Sequence, residues 1–273
     1  MKKISIIILF ILLIGLLISC GESSGVEISR LDQLRNEYAV IGQAHNHAVH
    51  LVYQKFVIQK AAQQLPSTLS GCRALAADYI NGANTPLLAT PLSLGNDIYS
   101  EQIIIDILNQ SRLFSKSTVN ADIVDALGDS LDIIQKHQGV FDSMSVILDS
   151  YISVEKKAEK LEQLYLYIDT SIENEEEKIS VMYGLSTIIH SIAYWDEHMQ
   201  DWEEVVSGGM GKHTLGIVGV VGIIDGAGAV IGTLEGFRDT EPGEDGRVWT
   251  IIGRAVGEAV KTSTYAVLAI VMI

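Results

Sequence analysis

The chain has 273 residues, of which 48% are hydrophobic, with 34 acidic against 19 basic side chains and a formal net charge of −15. It is too apolar to be disordered and, with two cysteines, too poor in thiols for a disulfide scaffold. The acidic balance removes the basic footprint of a nucleic-acid binder, so no nucleic-acid partner is expected.

The first element is a targeting segment. Lys2 and Lys3 precede an apolar run from Ile4 to Ile18, broken only by Ser5 and Gly15. At about 15 residues it suits a signal peptide and falls short of the roughly 20 that span a bilayer. The run ends in Leu17-Ile18-Ser19-Cys20, which resembles the lipobox of bacterial lipoproteins. That resemblance implies cleavage before Cys20, lipidation of its thiol and a membrane partner reached through that lipid. Residues 1–19 then read as a lipoprotein signal peptide and 20–27 as a lipidated, flexible tether. Gly21, where an aspartate would resemble an inner-membrane retention signal, points to the outer membrane if the cell has one, and otherwise to the outer face of the plasma membrane. An envelope protein partner is compatible with this location.

Residues 28–206 read as an acidic helical domain. Leu31, Leu34, Tyr38, Ile41, Val49, Val52 and Phe56 mark one face of a long helix over Ile28–Gln64, ended by Pro66 and Ser67. A shorter helix spans Leu69–Ile80. A loop at 82–97 leads to helices from Ile98 to Phe114 and from about Asp122 to Ile134. Gly139 breaks the pattern before a segment from Val140 to Val154, and Glu155–Ile168 forms an amphipathic helix. The acidic run Glu173–Lys178 opens a helix that reaches about Val206 and carries Tyr194, Trp195 and Trp202 as packing residues. The one thiol left beside Cys20, Cys72, reads as a small buried hydrophobe.

Residues 207–273 form a glycine-rich helical hairpin, from Thr214 to Leu234 and from Arg247 to Ile273. Asp225 is the one charge in its first arm. Gly216, Gly219, Gly222 and Gly226 fall within roughly 60° of one another at 100° per residue, a smooth stripe that lets another backbone approach. The hairpin is expected to pack in the bundle, with its first arm paired to its second. Membrane insertion and a loosely ordered flap are the alternatives. An ionised Asp225 argues against simple spanning. Arg254, Glu258 and Lys261 read as a polar stripe on a half-exposed helix, with Arg254–Glu258 and Glu258–Lys261 contacts. The fold class is all-α: a helical bundle with a glycine-rich C-terminal hairpin.

The densest chemical cluster is His45-Asn46-His47-Ala48-Val49-His50. His47 and His50, three apart, are weak candidates for a metal pair, and a third ligand would have to come from another helix, such as His190 or His198. His45 lies on the stripe of Tyr38 and Val52. It is therefore a candidate buried polar residue, as are Asn46 and Asp225. No catalytic motif is present, no catalytic residue is assigned and no cofactor is expected.

Three pieces then carry a second resemblance: Asn36-Glu37-Tyr38 with Gly42-Gln43-Ala44-His45-Asn46, Ser191-Ile192-Ala193-Tyr194-Trp195, and Asp225-Gly226-Ala227-Gly228-Ala229. In this order they resemble an uncharacterised family of helical bacterial proteins, often lipoproteins. The likeness implies a helical fold with His45 and Asn46 as a family feature, and no activity. The expected role is a lipid-anchored envelope protein acting as a binding or structural component. The alternatives are a bacteriocin-like or pore-forming protein that inserts its hairpin, and a metal-binding or hydrolytic protein using His45–His50.

Overall fold

The computed structural model describes residues 2–82, 133, 136–208 and 215–272. Eight helices lie among them: α1 Lys2–Ala61, α2 Leu69–Gly82, α3 Gln138–Leu148, α4 Val154–Glu162, α5 Leu164–Ser171, α6 Glu175–Ser207, α7 Leu215–Arg238 and α8 Arg247–Met272. No strand occurs among the described residues. The fold is an all-α bundle.

α6 is its central rod, and local chemistry sets both its ends. The Asn174 side chain accepts the Glu177 N–H at 3.0 Å, and Glu175, Glu176 and Glu177 fill the first turn. There carboxylates offset the helix dipole. Gly208, at φ +83°, ends the helix in the left-handed conformation that a side chain would resist.

α1 runs parallel to α6. Ser186 donates to the Tyr38 carbonyl at 2.7 Å, Asn46 to the His190 carbonyl at 2.9 Å, and Lys60 to the Glu204 carbonyl at 2.5 Å. Tyr38 stacks on Tyr165 and meets Tyr183 edge-on, while Phe56 meets Trp202. Arg30 and Arg35 clip α1 to Asp169 of α5 and to Glu162 of α4.

Glycine sets the rest of the bundle. A Cβ on Gly184 of α6 would lie 3.0 Å from the Gly226 carbonyl oxygen of α7, and the reverse holds at the same distance. A Cβ on Gly222 would lie 2.7 Å from Ile192, and one on Gly219 would touch Leu148 of α3 at 3.5 Å. The stripe of Gly219, Gly222 and Gly226 therefore faces α6 and α3. A second stripe, Gly228, Gly232 and Gly236, faces α8: a Cβ on Gly228 would sit 2.9 Å from the Ala259 Cα, and one on Gly236 would sit 2.6 Å from the Ile251 Cα. α7 is antiparallel to both neighbours and lies between them.

Several expectations need correction. The backbone is helical through 20–27, the stretch read as a flexible tether; it holds no proline to interrupt the helix. α1 stops at Ala61, before Pro66, and Gln63 takes a positive φ just beyond. Gly139 lies inside the first turn of α3 rather than breaking the chain. The Val140–Val154 segment stops at Leu148, because Ser153 caps a new helix by accepting the Lys156 N–H. The Glu155–Ile168 helix divides at Gln163. The Arg254–Glu258–Lys261 stripe is not half-exposed: Glu258 and Lys261 are buried and paired at 3.3 Å, while Arg254 turns to Asp239 at 2.7 Å. The loop and helices expected between 83 and 132 lie outside the described residues; Ile133, at the end of the second helix, is buried.

Candidate functional site

The long-range polar contacts of the core converge on one junction of α1, α6, α7 and α8. Its centre is Asp225, fully buried halfway along α7. The close approach allowed by Gly184 and Gly226 brings its short side chain within reach of α6. There the Ser191 hydroxyl and, at 3.0 Å, the Trp195 indole N–H both donate to Oδ2. Ser263 of α8 lies beside the carboxyl and helps hold its acidity.

α1 supplies His45, also fully buried. The Asn46 amide donates its N–H to the His190 carbonyl, which fixes which end of the amide is oxygen. Asn46 Oδ1 can only accept, so the His45 Nδ1 at 3.0 Å carries the proton and donates to it. Nε2 is left as a bare lone pair. It faces Asp225 Oδ2 at 3.7 Å. His190 in turn donates from Nδ1 to the Ser186 carbonyl at 2.9 Å and covers Gly42, where any side chain would strike its ring.

Burial penalises charge on both central groups. It pushes Asp225 up to about 7, against the opposing pull of Ser191, Trp195 and Ser263. It pushes His45 down to about 4; Asn46 and the Ala259 carbonyl oppose this, and His190 adds to it. At neutral pH the imidazole is uncharged, and burial favours the protonated form of the carboxyl. His45 Nε2, Asp225 Oδ1 and Ser263 Oγ have no hydrogen-bond partner among the described residues. A proton retained on Asp225 spares two acceptors, the Nε2 lone pair and the carboxyl, from facing each other bare.

The arrangement differs from a nucleophilic triad. The serine donates to the aspartate rather than to the histidine, and none of the three side chains reaches solvent. What it does chemically is tie α7 to α6 through one carboxyl, with His45 of α1 and Ser263 of α8 set beside it.

The other sequence candidates lie elsewhere. His47 is exposed, while half-buried His50 packs among the rings of Tyr53, Tyr194 and His198. Among the described residues no group of three or more His, Cys, Asp or Glu side chains is placed to hold a metal ion. Cys72 is buried; its thiol donates to the Pro66 carbonyl at 3.1 Å, and burial raises its pKa. Gly216 and Cys20 lie on α7 and α1.

His45, Asn46, Ser191, Trp195 and Asp225, from the three segments of the second resemblance, meet at this junction although residues of different segments are 30 to 180 positions apart in sequence. Sequence reasoning missed Ser263. Its signal was the run Thr262-Ser263-Thr264, three hydroxyls in an apolar helix, all buried. No family model, curated protein or solved structure matches the chain.

Proposed function

We propose that this chain is a lipid-anchored cell-envelope protein, held at the membrane by Cys20, whose helical body acts as a binding or structural component. The observation that carries the reading is the order Lys2-Lys3, apolar run, Leu17-Ile18-Ser19-Cys20. Gly21 after the cysteine favours the outer membrane where the cell has one. A structural role is supported by the junction itself, since Ser191, Trp195 and Asp225 are turned inward and bonded between α6 and α7, where they bind the fold rather than meet a substrate.

The hairpin bears on the alternative of membrane insertion. α7 and α8 are each long and apolar enough to cross a bilayer, yet 78% and 83% of their apolar windows are buried against the rest of the protein. That burial favours a hairpin forming the wall of the bundle. Metabolic labelling with an alkyne fatty acid tests the anchor: the full chain should take up label and Cys20→Ala should not. Equal labelling of the two would overturn the reading.

A further inference from the structure

Three exposed apolar side chains, Tyr167, Val248 and Trp249, lie at the end of the bundle that leads to Cys20, while Ile58, Val146 and Tyr151 are exposed elsewhere. Arg30 of α1 pairs with Asp169 of α5 at 2.9 Å, and α5 turns directly into the start of α6. There Glu176 pairs with Arg247, the first residue of α8, at 2.7 Å. The next two residues, Val248 and Trp249, are 62% and 70% exposed. Tyr167, two residues before Asp169, is 54% exposed. Cys20 is ten residues before Arg30 on the same helix, a reach of about 15 Å at roughly 1.5 Å per residue.

An exposed tryptophan beside an exposed valine is costly in water. It suits the headgroup level of a bilayer, where an apolar ring and a polar N–H are both accommodated. We infer that Val248 and Trp249 dock on the surface of the membrane that holds the anchor, so that the body stands on its α7–α8 loop end. Glu241, Glu244 and Asp245 of the loop stand exposed to water, and other acidic residues of that end are paired. Asp239 is paired with Arg254, Glu176 with Arg247, and Glu244 accepts the Glu241 N–H. The surface that fits is zwitterionic rather than anionic. The inference rests on the lipid-anchor reading and adds an orientation to it.

Tryptophan fluorescence reads this directly. The chain has three tryptophans, and Trp195 and Trp202 are fully buried in the core. They lie about 30 Å and about 40 Å along α6 from the Glu176 end, beyond contact quenching from a bilayer. The lipidated protein, as purified from the cells that produce it, is reconstituted into phosphatidylcholine vesicles with and without brominated acyl chains. Flotation is scored in the same samples. Wild type is expected to float and to lose emission in the brominated vesicles, with no loss for Trp249→Phe. Protein that floats with unchanged emission, and stays open to aqueous iodide, would overturn the docking and leave the anchor standing. Protein that fails to float would overturn the anchor and, with it, the docking.

Discussion

The unprotonated nitrogen of His45 faces the Asp225 carboxyl across 3.7 Å in a core that water does not reach. Each group is shifted against its own charge, so folding takes the proton from the base and leaves it on the acid. Between about pH 4 and 6.5 the unfolded chain carries a proton on His45 and the folded chain carries one on Asp225. The number bound is the same, and the pair contributes almost no slope to stability across that window.

Single variants expose the two opposing slopes. In Asp225→Asn only His45 remains; its folded value is lowered, so stability is full above about pH 6.5 and is lost as pH falls towards 4, by on the order of 3 kcal/mol. In His45→Gln only Asp225 remains; its folded value is raised, so stability is full near pH 4 and is lost as pH rises to about 7, by on the order of 4 kcal/mol. Urea midpoints from pH 4 to 8 should tilt in opposite directions for the two variants and stay nearly level for wild type. Parallel slopes would refute the proton exchange.

Glycine substitutions should separate by neighbourhood. An alanine at Gly228 places Cβ against the Ala259 backbone and should cost about 1–3 kcal/mol by overpacking. Gly139 has nothing within 4 Å of an added Cβ and lies in a helix, so Gly139→Ala should gain about 0.5–1 kcal/mol. Thermal melts of the two proteins should move in opposite directions.

The cap of α6 predicts a smaller effect. Asn174→Ala removes the acceptor for the Glu177 N–H and should lower stability by about 1 kcal/mol, measurable by denaturant unfolding.

A hairpin that belongs to the bundle wall should not permeabilise membranes. Dye-loaded liposomes are expected to keep their contents with wild type and with Gly219→Leu alike. Leakage by wild type that Gly219→Leu abolishes would favour insertion instead.

Much of the architecture was legible because its cause is local. The stripe Leu31, Leu34, Tyr38, Ile41, Val49, Val52, Phe56 repeats at helical spacing, and every member is buried. Asn174 before three glutamates marks a helix start in the sequence itself. Pairing was less legible. A glycine stripe says that some backbone comes close and not which one: the Gly219–Gly226 face meets α6 and α3, while the expected pairing of the two hairpin arms runs through Gly228, Gly232 and Gly236. The polar residues of α8 read as a solvated face because charge on a helix usually is. Lys261 instead pairs with Glu258 in the interior, a contact between near neighbours that periodicity does not distinguish from a surface pair. At the junction, His45 and Asp225 stood out as polar residues in apolar surroundings. Ser263 did not, because a hydroxyl is unremarkable in a helix until the groups across from it are known.

The shared direction of α6 and α8 also bears on the net charge of −15. Both helices begin at the end from which α1 leads back to Cys20, and each N-terminus presents the equivalent of about half a positive charge. Glu175, Glu176 and Glu177 occupy the first turn of one, and Glu241, Glu244 and Asp245 lie in the loop that enters the other. These carboxylates are thus set in a field that partly cancels them, and the molecule's acidity is softened at that end.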